Sequence, residues 1–339
     1  MVTDYNLSTI LSELLDAIAT NAPVLITSID DNKIIGLLPK LLEHKLESIA
    51  LLSMNETSGV RQFYLDTYVK QFSVIQEKLG GGLSDLDCIF LQGFPRCLEY
   101  SEFYTPGMRS DIDIFIPASA VDRFKEIAIS AGFNYYGFDN EKIFIISYEQ
   151  SEMLTANNWA NKDVTMTYLQ EVTIPKDLPI EIVDCYLPYV LRSGKTYLFV
   201  SLEVHHFYTD SRDIDILESS REPWPPMGVD RCGIEATLYF NLIRIYNGIH
   251  ANEKRMRLIL DTACLLSDKN KPWNVNLFKK ILASSSSKAA LMSLCVALRT
   301  IHPVFNDLIC FDTAHTDSAE TRRWLIKFYN SLDLGLNNE

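Results

Sequence analysis

The stretch GMRSDIDIFIPAS, residues 107 to 119, sets Asp111 and Asp113 two positions apart inside an apolar run, and a second Asp-Ile-Asp recurs at 213 to 215. In a strand, side chains alternate between faces, so Asp111 and Asp113 point one way while Ile112 and Ile114 point the other. Two carboxylates on one face repel each other and are costly to desolvate unless cations compensate. Such a pair predicts a divalent metal. Magnesium binds through one or two carboxylates and shares its other positions with water and substrate phosphates, and a two-metal site clamps both oxygens of a phosphoryl displacement.

Other constellations are weaker. The second pair, Asp213 and Asp215, has polar neighbours and a proline-rich stretch after it, which predicts a solvated surface. Glu203, His205 and His206 invite a zinc reading, but on a strand Glu203 and His205 share a face while His206 points away, leaving two local ligands at most. On spacing alone His205 is therefore expected to be structural or to support a neighbouring ligand. Lys254, Arg255 and Arg257 cluster at a helix start and read as a solvated face, with phosphate contact as the alternative. There is no glycine-rich loop of the GxxxxGK type.

The elements that must hold these residues follow from periodicity. From Asn6 to about Leu79 the pattern is helical; Leu65, Tyr68, Phe72, Ile75 and Leu79 fall on one face, and Gly80, Gly81 and Gly82 break it. DCIFLQG then reads as a buried strand ended by Gly93, RCLEYSEFY as a short helix and DIDIFI as a second strand. The segment PASAVDRFKEIAISAG reads as a helix starting near Pro117 and Ser119 and ending before Gly132. Further strands are expected at KIFIISY, VTMTYL and YLFVSLEVHHF, and the proline-rich ESSREPWPPMG marks a boundary. Beyond it, Leu238, Leu242, Ile245 and Ile249 open a helical region continued by RMRLILDTACLL, VNLFKKILA, KAALMSLCVAL and SAETRRWLIKFYNSL. The expectation is an N-terminal helical segment (1–84), an α/β core with a mixed sheet (85–220) and a C-terminal helical bundle (221–339).

The 339 residues suffice for more than one core. A formal charge of −13 leaves no electrostatic footprint for duplex nucleic acid, so phosphate chemistry would need metal ions or a local basic cluster. The seven cysteines are scattered without a CxxC pair, which predicts reduced thiols in a cytoplasmic protein. No apolar run approaches the ~18 residues of a membrane span, so no membrane partner is expected.

The ensemble FLQGFPRCLEYSEFYTPGMRSDIDIFIPASAVDRFKEIAISAGF resembles the core of the nucleotidyltransferase superfamily, whose fold is shared with DNA polymerase β. More narrowly, it is similar to the uncharacterised nucleotidyltransferase family whose signature runs Leu-Lys-Gly, a helix, a Tyr-Pro-Gly-like turn with Arg, then Asp-Ile-Asp. A later strand of that family carries an acidic residue followed by x-His, and SLEVHHF offers Glu203 and His205 there. The helix pair ending LILDTACLL is similar to the family's Leu-x-Asp-x-Ala segment, with Asp261 and Ala263 in place. The resemblance spans residues 60 to 285 and is strongest over 89 to 133.

The resemblance implies that Asp111, Asp113 and Glu203 ligate Mg2+ or Mn2+, with Glu203 sharing a metal or deprotonating an acceptor hydroxyl. Gly93, Phe94, Arg96, Arg109 and His205 form the implied nucleotide-binding set. Gly93 would allow backbone approach to a triphosphate at a helix start, and Arg109 would offset phosphate charge. The implied reaction moves a nucleoside monophosphate, most simply AMP from ATP, to a small-molecule or protein/peptide acceptor. Two departures motivate an alternative, a catalytically degenerate nucleotide-binding or protein-interaction module. The family's lysine is Gln92 here, and the superfamily's Gly-Ser is Gly93-Phe94. A lost charge-assisted contact weakens triphosphate binding by about 1.5–3 kcal/mol, which Arg96 would offset.

Overall fold

The computed structural model describes residues 7–54, 60–91, 95, 111–138, 143–155, 164–174, 188–192, 194–205, 211–251, 256–268, 273–308 and 327. In chain order the helices and strands are α1 (Leu7–Thr20), α2 (Asp31–Glu43), α3 (Glu47–Ser53), α4 (Val60–Leu83), β1 (Ile89–Phe90), β2 (Asp111–Phe115), α5 (Val121–Ser130), β3 (Tyr136–Phe138), β4 (Ile143–Ile145), α6 (Tyr148–Thr155), β5 (Val164–Val172), β6 (Tyr189–Arg192), β7 (Lys195–His205), α7 (Ser211–Ser220), β8 (Arg221–Trp224), β9 (Val229–Cys232), α8 (Ile234–His250), α9 (Met256–Ser267), α10 (Val275–Ser284) and α11 (Lys288–Ile301). They fall into two compact units. One gathers the described residues up to Met54 and from Ile234 onward, and the other those from Val60 to Gly233.

In its described residues the first unit is all helical. In α1 the buried residues Leu7, Ile10, Leu11, Leu14, Leu15 and Ile18 recur at three- and four-residue steps, a stripe that only a packed partner can cover. That partner includes α9, which is buried on every side from Met256 to Leu266. Caps fix the ends of the neighbouring helices: the Asp30 carboxylate accepts from the Lys33 amide before α2, and the Asn274 side chain accepts from the Asn276 and Leu277 amides at the start of α10. The expected helix over SAETRRWLIKFYNSL lies outside the described residues.

The second unit is built on a seven-stranded mixed sheet in the order β5-β7-β2-β1-β9-β8, with β6 paired to the first half of β7. The β2–β7 and β1–β9 pairs are parallel and the others antiparallel. Strand β7 alternates along its length, with Leu198, Val200, Leu202 and Val204 buried and Phe199, Ser201, Glu203 and His205 half-buried. Helix α4 covers the apolar face. Its Phe63 stacks on Tyr189, which pairs with Leu198, and Thr67 shares a 2.6 Å hydrogen bond with the Tyr189 hydroxyl. Phe72 of α4 meets Trp224, whose ring also packs edge-on against Phe90.

Two expectations are corrected. The glycines Gly80, Gly81 and Gly82 do not break the helix, because α4 runs through them to Leu83. A Cβ on Gly82 would stand 2.7 Å from Ile127 Cγ2, so the missing side chain lets α5 approach α4. The proline-rich stretch, expected as a boundary alone, also carries paired strands. Residues 221–224 and 229–232 form the β8–β9 hairpin, and Pro223 is tolerated because β8 is the sheet's edge. A Cβ on Gly233, just after β9, would collide with the Ser220 carbonyl, so only glycine fits there.

Candidate metal centre

Asp113 lies in the middle of β2 and Glu203 near the end of β7. The parallel register places them directly opposite one another, with Asp111 opposite Ser201 and Phe115 opposite His205. Partners in register project from the same face, so the face away from the Ile112, Ile114, Leu202 and Val204 layer carries Asp113, Glu203 and His205. Backbone bonds fix both strands at this level: the Leu91 amide donates to the Asp113 carbonyl and the Ile116 amide to the His205 carbonyl, each at 2.9 Å. The carboxylates are thus set by the sheet itself.

His205 Nε2 stands 3.0 Å from Asp113 Oδ1, with side-chain exposures of 18% and 7% respectively. One ligand atom from each of Asp113, Glu203 and His205 lies within 4.8 Å of the others. Ligand bonds of about 2.0–2.2 Å set neighbouring donors about 3 Å apart around a divalent cation, the spacing His205 and Asp113 already have, and Glu203 stands within reach of the same point. The arrangement can neutralise two adjacent carboxylates, hold a cation at a sheet surface and leave its remaining positions to water or substrate oxygens. Alongside, Thr167 Oγ1 and Ser201 Oγ share a 2.8 Å hydrogen bond on the same face, where β5 pairs with β7.

The structure therefore brings together Asp113, Glu203 and His205. Asp111 is placed by its backbone in β2, but its side chain lies outside the described residues, as do Gly93, Phe94, Arg96 and Arg109. The limit of two ligands holds for neighbours in sequence; across the strand pairing β2 adds Asp113 as a third donor beside Glu203 and His205. Spacing within one strand could not join the three; the long-range pairing does.

The second Asp-Ile-Asp lies on α7, where Asp215 is exposed and Asp213 half-buried. At about 100° per residue the two carboxylates diverge, so the spacing that pairs Asp111 and Asp113 on a strand face does not pair these. Arg257 corrects another expectation: it is neither solvated nor a phosphate contact, being buried at 6% exposure in α9. Its Nε donates to Asp261 at 3.0 Å and its Nη1 to Ser48 Oγ at 2.8 Å. Asp261, carried by the resemblance, is thus the partner of a structural arginine. Lys254 and Arg255 lie outside the described residues.

No helix among the described residues is long and apolar enough to cross a membrane. Comparison with protein-family models, with curated proteins and with solved structures finds no match.

Proposed function

We propose that the protein is a metal-dependent nucleotidyltransferase that moves a nucleoside monophosphate, most simply AMP from ATP, to a small-molecule or protein/peptide acceptor. The observation that carries this reading is the register of Asp113 against Glu203 on adjacent parallel strands, with Asp111 one pleat upstream in β2. Carboxylates on two neighbouring strands of a mixed sheet, with helices on the opposite face, are what the resemblance to the nucleotidyltransferase superfamily requires. A bound divalent cation would supply charge neutralisation for the phosphates of a nucleoside triphosphate and of the leaving pyrophosphate.

The chain's own groups divide the remaining work. Asp113 and Glu203 hold cation and substrate in one geometry, and most of the acceleration in phosphoryl transfer comes from such positioning and charge placement. Glu203, half-buried on β7, is the group the resemblance assigns to accept the acceptor's hydroxyl proton. Gly93, Phe94, Arg96 and Arg109 are assigned to the triphosphate by the resemblance. The surplus of acidic residues disfavours a polynucleotide acceptor. Gln92 and Phe94 favour the second reading, a module that binds nucleotide or a partner protein without turnover.

The test incubates wild-type protein and Asp113→Ala with α-labelled ATP, GTP, CTP and UTP, a divalent metal, and small-molecule and protein extracts. Metal-dependent label transfer, lost in the variant, is the expected outcome and identifies the base. Nucleotide binding that persists in both proteins with no transfer would overturn the enzyme reading and leave the binding module.

A further inference from the structure

We propose that His205 Nε2 is itself a ligand of the cation held by Asp113 and Glu203, and that the site therefore selects a first-row transition metal ion over magnesium. The inference rests on the metal-dependent reading of this face and goes beyond it in naming the donor set and the class of ion.

The geometry is the first support. A metal with bonds of about 2.1 Å places its neighbouring donors about 3.0 Å apart. Nε2 of His205 and Oδ1 of Asp113 are 3.0 Å apart, and Glu203 offers its oxygen within 4.8 Å of both. Glu203 has the longest and most adjustable of the three side chains, so it closes the set by rotation while the other two stay put. His205 is held in place by its strand, whose carbonyl accepts from Ile116 and whose residue pairs with Phe115. The Nε2 atom coordinates when the ring proton is on Nδ1.

Chemistry is the second support. Magnesium takes oxygen ligands in near-ideal octahedra and dehydrates reluctantly, whereas imidazole suits zinc and the transition metals. Across the first row the same nitrogen and oxygen donors bind more tightly from manganese towards copper, with zinc also above manganese. A site of two carboxylates and one imidazole is thus poorly matched to magnesium. The competing role for His205 is that of a positioning residue whose ring only orients Asp113 by the hydrogen bond; both roles use the same 3.0 Å contact, and a nitrogen-sensitive measurement separates them.

The experiment strips full-length protein of metal with a chelator and titrates Mg2+, Mn2+ and Zn2+ separately by calorimetry, then records pulsed electron paramagnetic resonance of the Mn2+ form. Expected are affinities for Mn2+ and Zn2+ at least about tenfold above that for Mg2+, and nitrogen modulation on the Mn2+ signal. His205→Gln should abolish the modulation and narrow the Mn2+ to Mg2+ ratio by about tenfold, with an unchanged far-ultraviolet spectrum. His205→Cys, which supplies another donor that zinc accepts, should retain the Zn2+ preference. Mn2+ bound without nitrogen modulation, or an Mn2+ to Mg2+ ratio indifferent to His205→Gln, would overturn the ligand assignment while leaving the metal site standing. Failure of the wild type to bind any of the three ions would overturn both. Normal metal selectivity with no nucleotidyl transfer would support the assignment and remove only the proposed reaction.

Discussion

Two groups of carboxylates lie in the sheet-bearing unit, and they are satisfied in different ways. At one, Arg221 reaches Asp87 at 2.6 Å, Asp230 at 3.2 Å and Glu218 at 3.3 Å, so one guanidinium serves three acids. At the other, Asp113 and Glu203 face each other across paired strands and, among the described residues, a nearby base is the imidazole of His205. A guanidinium is always charged and has no lone pair to give, so the Arg221 group is closed to metals. An imidazole can be a hydrogen-bond donor, an acceptor or a ligand. The identity of the base, more than the number of acids, separates a structural cluster from a candidate site. The helical unit gives the same lesson in a buried setting, where Arg257 closes off Asp261.

The largest expected difference is in function. Asp113→Asn keeps shape and hydrogen-bonding capacity while removing charge, and should lower label transfer by about 100-fold or more. Stability in chelator should not fall by more than about 1 kcal/mol, because removing one of two facing carboxylates relieves repulsion as it weakens the bond to His205. Arg257→Met should do the reverse. It leaves Asp261 buried without its guanidinium, costs about 3–5 kcal/mol in urea unfolding, and should leave Mn2+ affinity unchanged; adding Asp261→Leu should recover much of the loss. Equal effects of the two variants on metal affinity would erase the distinction between the clusters.

How much of this was legible along the chain varies by residue. Asp113 was readable because strand alternation is a local property, whereas Glu203 was singled out by the resemblance; the strands around DIDIF and SLEVH follow from their apolar spacing. The meeting of Asp113 with His205 was not readable, because it joins residues 92 positions apart and depends on the parallel pairing of β2 with β7. Arg257 looked solvated as part of a basic run, although a signal was present: Leu258, Ile259, Leu260, Ala263 and Cys264 surround the helix, so an i, i+4 Arg–Asp pair there had to be buried. The β8–β9 hairpin was hidden by Pro223, whose usual meaning in mid-strand is reversed at an edge. The grouping of the first three helices with the last four is a tertiary fact that no local window contains.

The Arg221 cluster sharpens the comparison at lower energy. Arg221 is about a third exposed and its partners Asp87 and Glu218 more so, and solvent and salt screen such contacts. The Arg221 guanidinium is held even more firmly protonated by its hydrogen bond to Asp87, against the opposing effect of burial. Arg221→Met should cost about 1 kcal/mol or less, and the difference from wild type should shrink at high salt. A loss above about 3 kcal/mol, insensitive to salt, would mean that this cluster is as closed as the one around Asp261.

The smallest effect belongs to a carboxylate satisfied by neutral donors. Glu13 of α1 accepts from the Thr27 amide and hydroxyl at 2.7 and 2.6 Å, and from the Ser28 amide and hydroxyl at 3.1 and 2.7 Å. Burial pushes its pKa up, but these hydrogen bonds outweigh it and hold the carboxyl below the ordinary 4.5. A depressed acid stabilises the fold fully above its unfolded pKa and loses that contribution as the pH falls through the folded one. Glu13→Gln should therefore lower the melting temperature slightly at neutral pH, by about a degree, and the gap should close as the pH drops below about 4.5. A gap that instead widened on acidification would show that the neutral donors do not stabilise the carboxylate. The ordering of charged, ligating and neutral partners would then fail at its weakest member.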